Sequence, residues 1–533
     1  MSRMVGRSQL MARPSKLQKV IPMNSADEFL AQKEKFQLGD LPTESPHPKT
    51  QNLSDWAKGD VARGLKTLRE VDLEALRRIV ELRSILSDFF HAVAAALEHG
   101  DRIFLVGCGA TGRLSLSLEY LWRRKFPAST QVCSLMAGGD VALVHSLEGF
   151  EDFPEYGARH LRQMGFGPND LLIGSTEGGE TPYVIGAVEK AAEISRRPPQ
   201  FLYCNPRQIL IDRVARSRQV LTNPRIQSFC LDTGPMALTG STRMQASTVL
   251  MLVIGLALEF GRNVDGAFAV LEGWIDFLAG QDVQPLEPFI VNEARIYLDE
   301  QYTIYASDDY AITVFTDTTE RAPTFNLAPF DNPQHLTARH SLTYLMIPSA
   351  GSAEESWRQL LARDPRPLEW PQIHAKTTKD YLLSFDFSRQ ALDFRRRILE
   401  HSRHHVFHIA TAKTRLHLSF AGVDEHFNLP GSLALLDHLT LKLLLNMHST
   451  LLMGQLGRFE GNLMTWVYPS NGKLVDRAVR YTQILLRRSG YSDFTYDEIV
   501  RAQFICKNEL SPTESIVHKT MQKLIDARSG AIR

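Results

Sequence analysis

The sequence lacks the features that mark disulfide-bonded, membrane-spanning or nucleic-acid-binding proteins. Its 533 residues include only five cysteines, which are scattered without a CxxC pair and favour reduced thiols over a disulfide frame or a zinc site. The 60 basic residues are balanced by 60 acidic ones, so bulk charge attracts neither nucleic acid nor a membrane surface, although a local basic pocket can still hold a small anion. The most apolar stretch, residues 249–258, is too short to span a bilayer. We therefore expect a soluble cytoplasmic protein.

The first twenty residues are basic and contain neither an acidic residue nor an apolar run. A transit peptide can have that composition, but a regular amphipathic face bearing arginine is missing. We therefore expect residues 1–42 to form a basic arm that is partly disordered.

An α/β pattern follows a helical region at residues 53–100. Short apolar segments such as RIFLVG, QVCSLMAGG and LLIGST alternate with glycine turns and helices. Strands of this length alternating with helices predict a doubly wound, flavodoxin-like parallel sheet. Such a sheet binds its ligand at the carboxyl ends of its strands, where the glycine turns lie.

The same order of elements restarts near Tyr297, with YTIYAS, YLMIPSA, HHVFHIATA and a long helix at about residues 432–457. This predicts two tandem α/β units related by internal duplication, at residues 43–284 and 285–490, and a small helical extension at residues 491–533. Because duplicated units usually pair through a two-fold interface, we expect a monomer with pseudo-dimeric halves or a weak homo-oligomer.

The turn VGCGATGR (residues 106–113) has the GxGxxG pattern of a dinucleotide site. That site requires an acidic residue about 20 positions further on, but the first acid, Asp140, lies beyond two more glycines. We favour a phosphate cradle made by the backbone N–H groups of the turn, the helix dipole and the Thr111 hydroxyl. Similar turns precede helices at Thr181 and in TGSTR (residues 239–243). Each turn alone is equally well explained as a structural turn, but three at the ends of one sheet predict a phosphorylated small ligand.

Several motifs in the expected order resemble the sugar isomerase (SIS) domain family. In the first unit these are VGCGATGR, AGGD…LEGFED, TPYVIGAV and TGSTRM, and they are most similar to N-acetylmuramic acid 6-phosphate etherases and glucokinase regulatory proteins. In the second unit DTTERAPTF, LTLKLLLNMHST and GNLMTWVYPSNGKLVDRAV resemble etherase segments around the catalytic glutamate and the C-terminal helices. The resemblance covers about residues 43–490 and implies two SIS domains with the ligand between them.

The resemblance also implies the residues of the site. Phosphate binding falls to three loops, which contribute Ala110, Thr111, Gly112, Ser175, Thr176, Gly178, Thr181, Ser241, Thr242 and Arg243. Glu320 matches the acid/base of the etherases, Glu148 a ligand-contacting glutamate, and Lys442 a lysine of the last helix of the second unit. The alternatives are an exposed helix position for Glu320, a turn cap for Glu148 and an ammonium that reaches solvent for Lys442.

Two departures from the family pattern complement each other. In the first unit the position that matches Glu320 is Leu121, with Glu119 two residues earlier. In the second unit SDDY replaces the glycine loop, and Asp308 and Asp309 would repel a phosphate dianion. We therefore expect one composite pocket per chain.

Charged residues beside the loops and histidines outside them are interpreted as structural. Glu177 and Glu180 flank the second loop, and we expect them to face solvent, because inward carboxylates would weaken phosphate binding. His404, His405 and His408 have no convergent Cys or Asp, so we expect them on the surface or in the core. The sequence implies no cofactor and no metal.

Two function classes remain open. The first is a lyase or isomerase acting on an amino-sugar or hexose 6-phosphate, such as an etherase acting on N-acetylmuramic acid 6-phosphate; DTTERAPTF favours it. The second is a non-catalytic sugar-phosphate sensor that regulates a sugar kinase, which the double-SIS length favours. The segment after residue 490 is short and leaves less surface for a kinase partner, so we favour the enzyme.

Overall fold

The computed structural model describes residues 25–531 apart from a few single positions. These are Gln37, Ser146, Glu148, Gln334, His335, Ala338, Pro371, Gln372, His401 and Lys413. The candidate Glu148 and residues 1–24 of the predicted basic arm therefore lie outside the described residues. In the described part of the chain, no helix combines the length and the apolarity needed to cross a membrane.

The first unit is a five-stranded parallel sheet. After α1 (Ala26–Leu30), its elements are α2 (Leu53–Gly59), α3 (Val61–Val80), α4 (Arg83–Glu98), β1 (Ile103–Gly107), α5 (Ala110–Lys125), β2 (Val132–Met136), α6 (Pro154–Gln163), β3 (Leu171–Thr176), α7 (Pro182–Ile194), β4 (Gln200–Tyr203), α8 (Arg207–Arg213), α9 (Ala215–Leu221), β5 (Gln227–Cys230), α10 (Gln245–Phe260) and α11 (Val264–Gly280). The strand order β2-β1-β3-β4-β5 is that of flavodoxin-like sheets. The prediction of a doubly wound parallel sheet is confirmed for this unit.

Strand β1 shows why the sheet is covered on both faces. Its sequence is continuously apolar, which is typical of a parallel strand buried on two sides. Ile103 and Leu105 belong to the core formed with α3, α4, α10 and α11, whereas Phe104 and Val106 belong to the core formed with α6 and α7. Because the five strands are parallel, their carboxyl ends all lie at the same end of the sheet, which we call its carboxyl edge.

The second unit repeats part of this arrangement. Its elements are α12 (Glu287–Leu298), β6 (Tyr302–Ala306), α13 (Ala311–Phe325), β7 (Thr343–Met346), α14 (Ala353–Leu361), α15 (His374–Thr377), α16 (Lys379–Leu383), α17 (Ala391–Ile398), β8 (His404–Ala412), β9 (Arg415–Phe420), β10 (Val423–Asn428) and α18 (Ala434–Gln455). The strand order is β10-β9-β8-β6-β7. The parallel part, β7-β6-β8, has the same order as β2-β1-β3.

The prediction of a wholly parallel second sheet is wrong for β9 and β10, which are antiparallel. The links between these strands are too short for the crossover that a parallel pair requires. Between β9 and β10 only Ala421 and Gly422 intervene, both with positive φ (49° and 84°), as in a two-residue hairpin turn.

Three helices follow α18: α19 (Gly472–Arg488) at the end of the second unit, then α20 (Tyr496–Asn508) and α21 (Ile516–Ala531). They form a separate apolar cluster that also takes in Phe29 of α1, whose ring lies 6.2 Å from that of Phe504. The two ends of the described chain therefore pack together.

Two features join the units. Helix α18 is apolar around its circumference, and its leucines contribute to the cores of both units, as expected for a fully buried helix. A strap at residues 363–370 leaves the second unit and lies on the first, where Arg363 pairs with Glu119 and Asp140. At the end of the strap Trp370 stacks on Phe150 with ring centroids 5.3 Å apart.

Candidate functional site

A cavity of about 460 Å³ lies where the glycine turn after β1 meets α13 of the second unit. We call it the inner cavity. Four of the predicted site residues line it: Ala110, Arg243, Glu320 and Lys442. Residues from both units therefore share one enclosed space.

Glu320 is held at this cavity by a cation of the other unit. Its side chain is 14% exposed, and one carboxylate oxygen lies 3.1 Å from Nε of Arg113 on α5. The Arg113 guanidinium is buried and also donates to the backbone oxygen of Leu143 at 2.8 Å. Because Arg113 is fixed at both contacts, it orients the Glu320 carboxylate beside the glycine turn.

Lys442 does not direct its ammonium into solvent. Its Nζ donates to the backbone oxygens of Arg243 and Met244 at 2.9 and 3.4 Å and to the Thr248 hydroxyl at 2.7 Å. Burial lowers the pKa of Lys442 to about 8. A lysine of the second unit thus holds the third loop of the first unit in place.

Arg243 is committed to a buried network. Its guanidinium bonds Asp317 at 3.0 Å, Ser449 at 3.2 Å and Asn446 at 3.4 Å. Asp317 is itself paired with Arg321 at 2.9 Å. The cation that the sequence assigns to phosphate binding therefore already has a carboxylate partner, and it joins the two units.

The first loop is shaped by its own side chain. The Thr111 hydroxyl accepts from the Cys108 N–H and donates to the Cys108 oxygen, both at 2.9 Å. Gly109 has φ 54°, and no side chain caps the N-terminus of α5. Gly112 packs against β2, since a Cβ there would lie 2.5 Å from Met136. The turn therefore offers backbone N–H groups, with Thr111 fixing their geometry.

In the second loop the hydroxyls bond within the loop and the sheet. The Thr176 and Thr181 hydroxyls are 2.9 Å apart, and Ser175 donates to the Val106 oxygen at 3.4 Å. The Gly178 oxygen accepts from the Asn205 side chain at 3.1 Å. Of these residues, Thr181 opens onto a larger space.

The third loop contains hydroxyls with unused hydrogen-bonding capacity. The side-chain oxygens of Thr239 and Ser241 are buried and find no partner among the described residues. Thr242 is half-buried at the same turn. Buried polar groups are normally satisfied, so unpaired hydroxyls in a loop of this kind are explained by a ligand or water.

A second space of about 1280 Å³, the outer cleft, lies between the N-termini of α7 and α19. Thr181, Glu180 and Lys473 line it. Glu180 was expected to face solvent, and that prediction is wrong: it is buried and paired with Lys473 at 2.8 Å and with Arg216. Burial opposes ionisation, but these two cations hold the pKa of Glu180 well below its usual range.

The prediction that Glu177 faces solvent is also wrong. Its side chain is buried, and one carboxyl oxygen has no partner in the described part of the chain. Burial raises the pKa of Glu177 to about 8, with further contributions from the charges of Glu320 and Glu151. Asp152 nearby also has a pKa raised to about 6, by burial and by Glu151. The sheet edge therefore holds carboxyl groups in different protonation states.

The corresponding residues of the second unit serve other purposes. Asp308 accepts from the Ser349 N–H at 2.9 Å, and Asp309 accepts from the Thr411 N–H at 3.2 Å.

In the first unit Glu119 is buried beneath the strap, where burial raises its pKa but Arg363 and Arg366 lower it to about 2. His404 and His408 lie on β8 with His405, which bonds Gln301 at 2.6 Å.

Sequence reasoning missed three residues of this region: Arg113, Glu177 as a buried group, and Lys473. Arg113 ends the motif GCGATGR and Lys473 lies in GNLMTWVYPSNGKLVDRAV, so the motifs that signal the family already contained both cations. The burial of Glu177 has no such signal in the linear sequence.

Comparisons with known proteins give consistent matches. The model for the glucokinase regulatory protein N-terminal SIS domain matches residues 86–192. The N-acetylmuramic acid 6-phosphate etherase of Thermosynechococcus vestitus is 32% identical over 219 residues, 41% of this chain and 66% of that relative. The etherase of Salinibacter ruber is 32% identical over 221 residues, 41% of this chain and 67% of that relative. The matches thus span about two thirds of these relatives.

Among solved structures, tagatose-6-phosphate ketose/aldose isomerase from Escherichia coli is similar with a TM-score of 0.42 and 14% identity, covering 79% of this chain and 97% of that one. The family match and the sequence relatives define a protein built on the SIS domain. The chain belongs to the family of the N-acetylmuramic acid 6-phosphate etherases, within the SIS-domain proteins that also include the glucokinase regulatory protein.

Proposed function

We propose that this chain is a sugar-phosphate-binding SIS enzyme of the etherase type, which acts on an amino-sugar 6-phosphate such as N-acetylmuramic acid 6-phosphate. The observation that carries the proposal is the placement of Glu320 of the second unit against Arg113 and the glycine turn of the first. The identity to etherases supports it. One composite site per chain follows, since the second unit fills its own turn with Asp308 and Asp309.

The phosphate is assigned to the carboxyl edge of the first sheet. Helices α5 and α7 both begin there without a side-chain cap, and such N-termini attract anions through free N–H groups and the helix dipole. The outer cleft is lined by four cations and three carboxyl groups: Lys35, Arg216, Lys473 and Lys507, and Glu151, Asp152 and Glu180. The unpaired Ser241 hydroxyl supplies a further donor.

The chemistry is assigned to two carboxyl groups. Ether cleavage requires removal of a proton next to a carbonyl and protonation of the leaving alkoxide. Glu320 is the proposed base, oriented by Arg113. Glu177 is the proposed acid, because its pKa of about 8 keeps it protonated at neutral pH. Glu148 stays a proposed ligand contact or partner acid/base, and its neighbour Gly149 lines the outer cleft.

The domain organisation fits this division of labour. We infer that residues 43–284 and 285–490 are duplicated SIS domains, supported by the matching orders β2-β1-β3 and β7-β6-β8. The first retains the phosphate loops, and the second contributes Glu320 and Lys442. Residues 491–533 form the helical extension.

A sugar-phosphate sensor is the second candidate, favoured by the match of residues 86–192 to the domain of the glucokinase regulatory protein. A sensor of this kind would bind the same ligand at the same edge and regulate a sugar kinase. It would release no product.

The test is Glu320→Gln, assayed for lactate release from N-acetylmuramic acid 6-phosphate alongside calorimetric binding. The variant keeps the size of the side chain but removes the base, so turnover should fall by about 10²–10⁴ while affinity changes little. The matched control is Asp308→Asn, in the turn of the second unit, which should retain full turnover. Binding without product in the wild type would favour the sensor, and undiminished product in Glu320→Gln would remove this residue from the mechanism.

The pH dependence tests the proposed acid. Since Glu177 must be protonated to act, kcat should fall as pH rises through about 8. In Glu177→Gln the remaining activity should be low and should lack that decline. A wild-type profile that stays flat to pH 9 would reject Glu177 as the proton donor.

A further inference from the structure

The outer face of the β9–β10 hairpin brings together three side chains that the sequence separates. His417 on β9 lies directly opposite His426 on β10, and Asp424 lies two pairs further along, on the same face and opposite Ser419. The alternate residues Leu416, Leu418 and Phe420 face the core. The three polar side chains therefore share the solvent-facing side of the edge of the second sheet.

Their atoms converge. Nε2 of His417 lies 2.9 Å from one carboxylate oxygen of Asp424, and Nδ1 of His426 lies 4.0 Å from the other. The two imidazole rings stack with centroids 4.6 Å apart and planes 19° apart. One ligand atom from each of the three side chains lies within 4.8 Å of the others.

Two imidazoles and one carboxylate form a donor set that suits zinc and neighbouring divalent transition ions. Bonds of about 2.0–2.2 Å to one tetrahedral ion place its donor atoms about 3.4 Å apart, so the 2.9 Å pair has to open and the 4.0 Å pair has to close, which small side-chain rotations supply. The backbone beneath is fixed by the paired strands and the two-residue turn at Ala421 and Gly422. The guanidinium of Arg415 on the same face is directed at the backbone oxygen of His426, at 2.7 Å, and away from the imidazoles.

We propose that this hairpin binds one divalent transition-metal ion, such as zinc, through His417, His426 and Asp424, with water completing the coordination. The site lies on the edge strand of the second sheet and uses none of the residues assigned to sugar-phosphate binding. It therefore stands or falls independently of the proposed function.

The experiment titrates the full-length, untagged protein with Zn²⁺ by calorimetry and with Co²⁺ by visible absorption. We expect one ion per chain and, for Co²⁺, ligand-field bands of a site with nitrogen and oxygen donors. His417→Asn and His426→Asn should each lower the affinity by about tenfold or more, and Asp424→Asn should weaken it as well. The matched control is His91→Asn, an exposed histidine on α4, which should leave the affinity unchanged.

Circular dichroism and sugar-phosphate turnover of the hairpin variants should match the wild type, because the substituted side chains lie on the solvent-facing side of the hairpin and outside the apolar core. Absence of a stoichiometric site in the wild type would overturn the proposal. Equal affinities in the wild type, His417→Asn and His426→Asn would overturn it too, since the ion would then be bound elsewhere.

Discussion

The first strands of the two units, β1 and β6, end in turns of equivalent position and different chemistry. After β1, Gly109 adopts φ 54° and α5 begins without a side-chain cap. After β6, the carboxylates of Asp308 and Asp309 accept the N–H groups of Ser349 and Thr411. One turn keeps its N–H groups available, and the other uses its side chains to tie neighbouring loops together. Equivalent turns thus end in free N–H groups in one unit and in a structural joint in the other, according to two residues.

The two sheets also differ in which chain segments cover the carboxyl ends of their strands. The edge of the first sheet is closed by distant parts of the chain, residues 43–50 and α19. Glu44 there is buried against Arg477 and Arg480, with bonds of 2.6 and 3.1 Å. Burial alone would raise the pKa of Glu44, but the two guanidinium groups lower it to about 2. The edge of the second sheet is covered by its own loops.

The largest effect is expected from Glu44→Gln, which removes the carboxylate that pairs with Arg477 and Arg480. Arg480 keeps its pair with Asp476 at 2.8 Å, but Arg477 loses its carboxylate partner, and leaving that buried cation unpaired should lower the free energy of unfolding by about 3–5 kcal/mol at pH 7. Because the folded-state pKa is depressed, the contribution of Glu44 is present above its usual pKa of 4.5 and is lost as pH falls towards 2. Urea denaturation at several pH values measures the difference.

In that experiment Glu98→Gln serves as the control, since its pair with Arg262 is exposed and should contribute little to the free energy of unfolding. Equal losses for Glu44→Gln and Glu98→Gln would show that the chain ends do not close the first edge.

The next effect concerns Lys442, the cation that the second unit places under the third loop. Its folded-state pKa of about 8 lies below the usual 10.5, so the unfolded chain binds more protons between these values and wild-type stability rises with pH across that window. Lys442→Met should abolish this rise, which amounts to roughly 3 kcal/mol. Denaturation midpoints from pH 7 to 10.5 provide the measurement. Lys125→Met, at an exposed pair with Glu259, should leave the rise intact, and its persistence in Lys442→Met would refute the assignment.

The smallest effect distinguishes the two turns directly. Thr111→Val removes the acceptor of the Cys108 N–H and should cost about 1–3 kcal/mol in sugar-phosphate binding, measured by calorimetry. Asp309→Asn, at an exposed position in the other turn, should change binding by no more than about 0.5 kcal/mol. Stronger dependence on Asp309 than on Thr111 would place the working site in the second unit.

The sequence predicted the first sheet well, because continuous apolar strands and glycine turns report local structure. It did not predict β9 and β10, although Leu416, Leu418 and Phe420 alternate with polar residues as in an antiparallel strand. The two-residue link at 421–422 decides the direction, and it is visible only once both strands are recognised.

For the site, the order of the motifs predicted a composite pocket, and Ala110, Glu320 and Lys442 line one cavity. The sequence did not predict the pairing of Arg243 with a carboxylate. A cation in a glycine-containing loop resembles an anion ligand, but its partner Asp317 is contributed by the other unit. Burial raises the pKa of Glu177, whereas Lys473 and Arg216 lower that of Glu180, and both effects depend on contacts across the fold rather than on neighbours in the sequence.

The strap is translated well after the helix that it covers, which delays the completion of the first unit during synthesis. Glu119 and Arg363 are 244 positions apart in the chain, yet Glu119 pairs with that arginine and with Arg366 of the strap. At roughly 5–20 residues per second, the ribosome delivers the strap roughly 10–50 s after the helix that it covers. During that interval the nascent first unit lacks the strap's partners for Glu119 and for the aromatic residues that pack against Trp370. Chaperone binding should therefore be concentrated on ribosomes that have translated α5 and have not yet reached the strap.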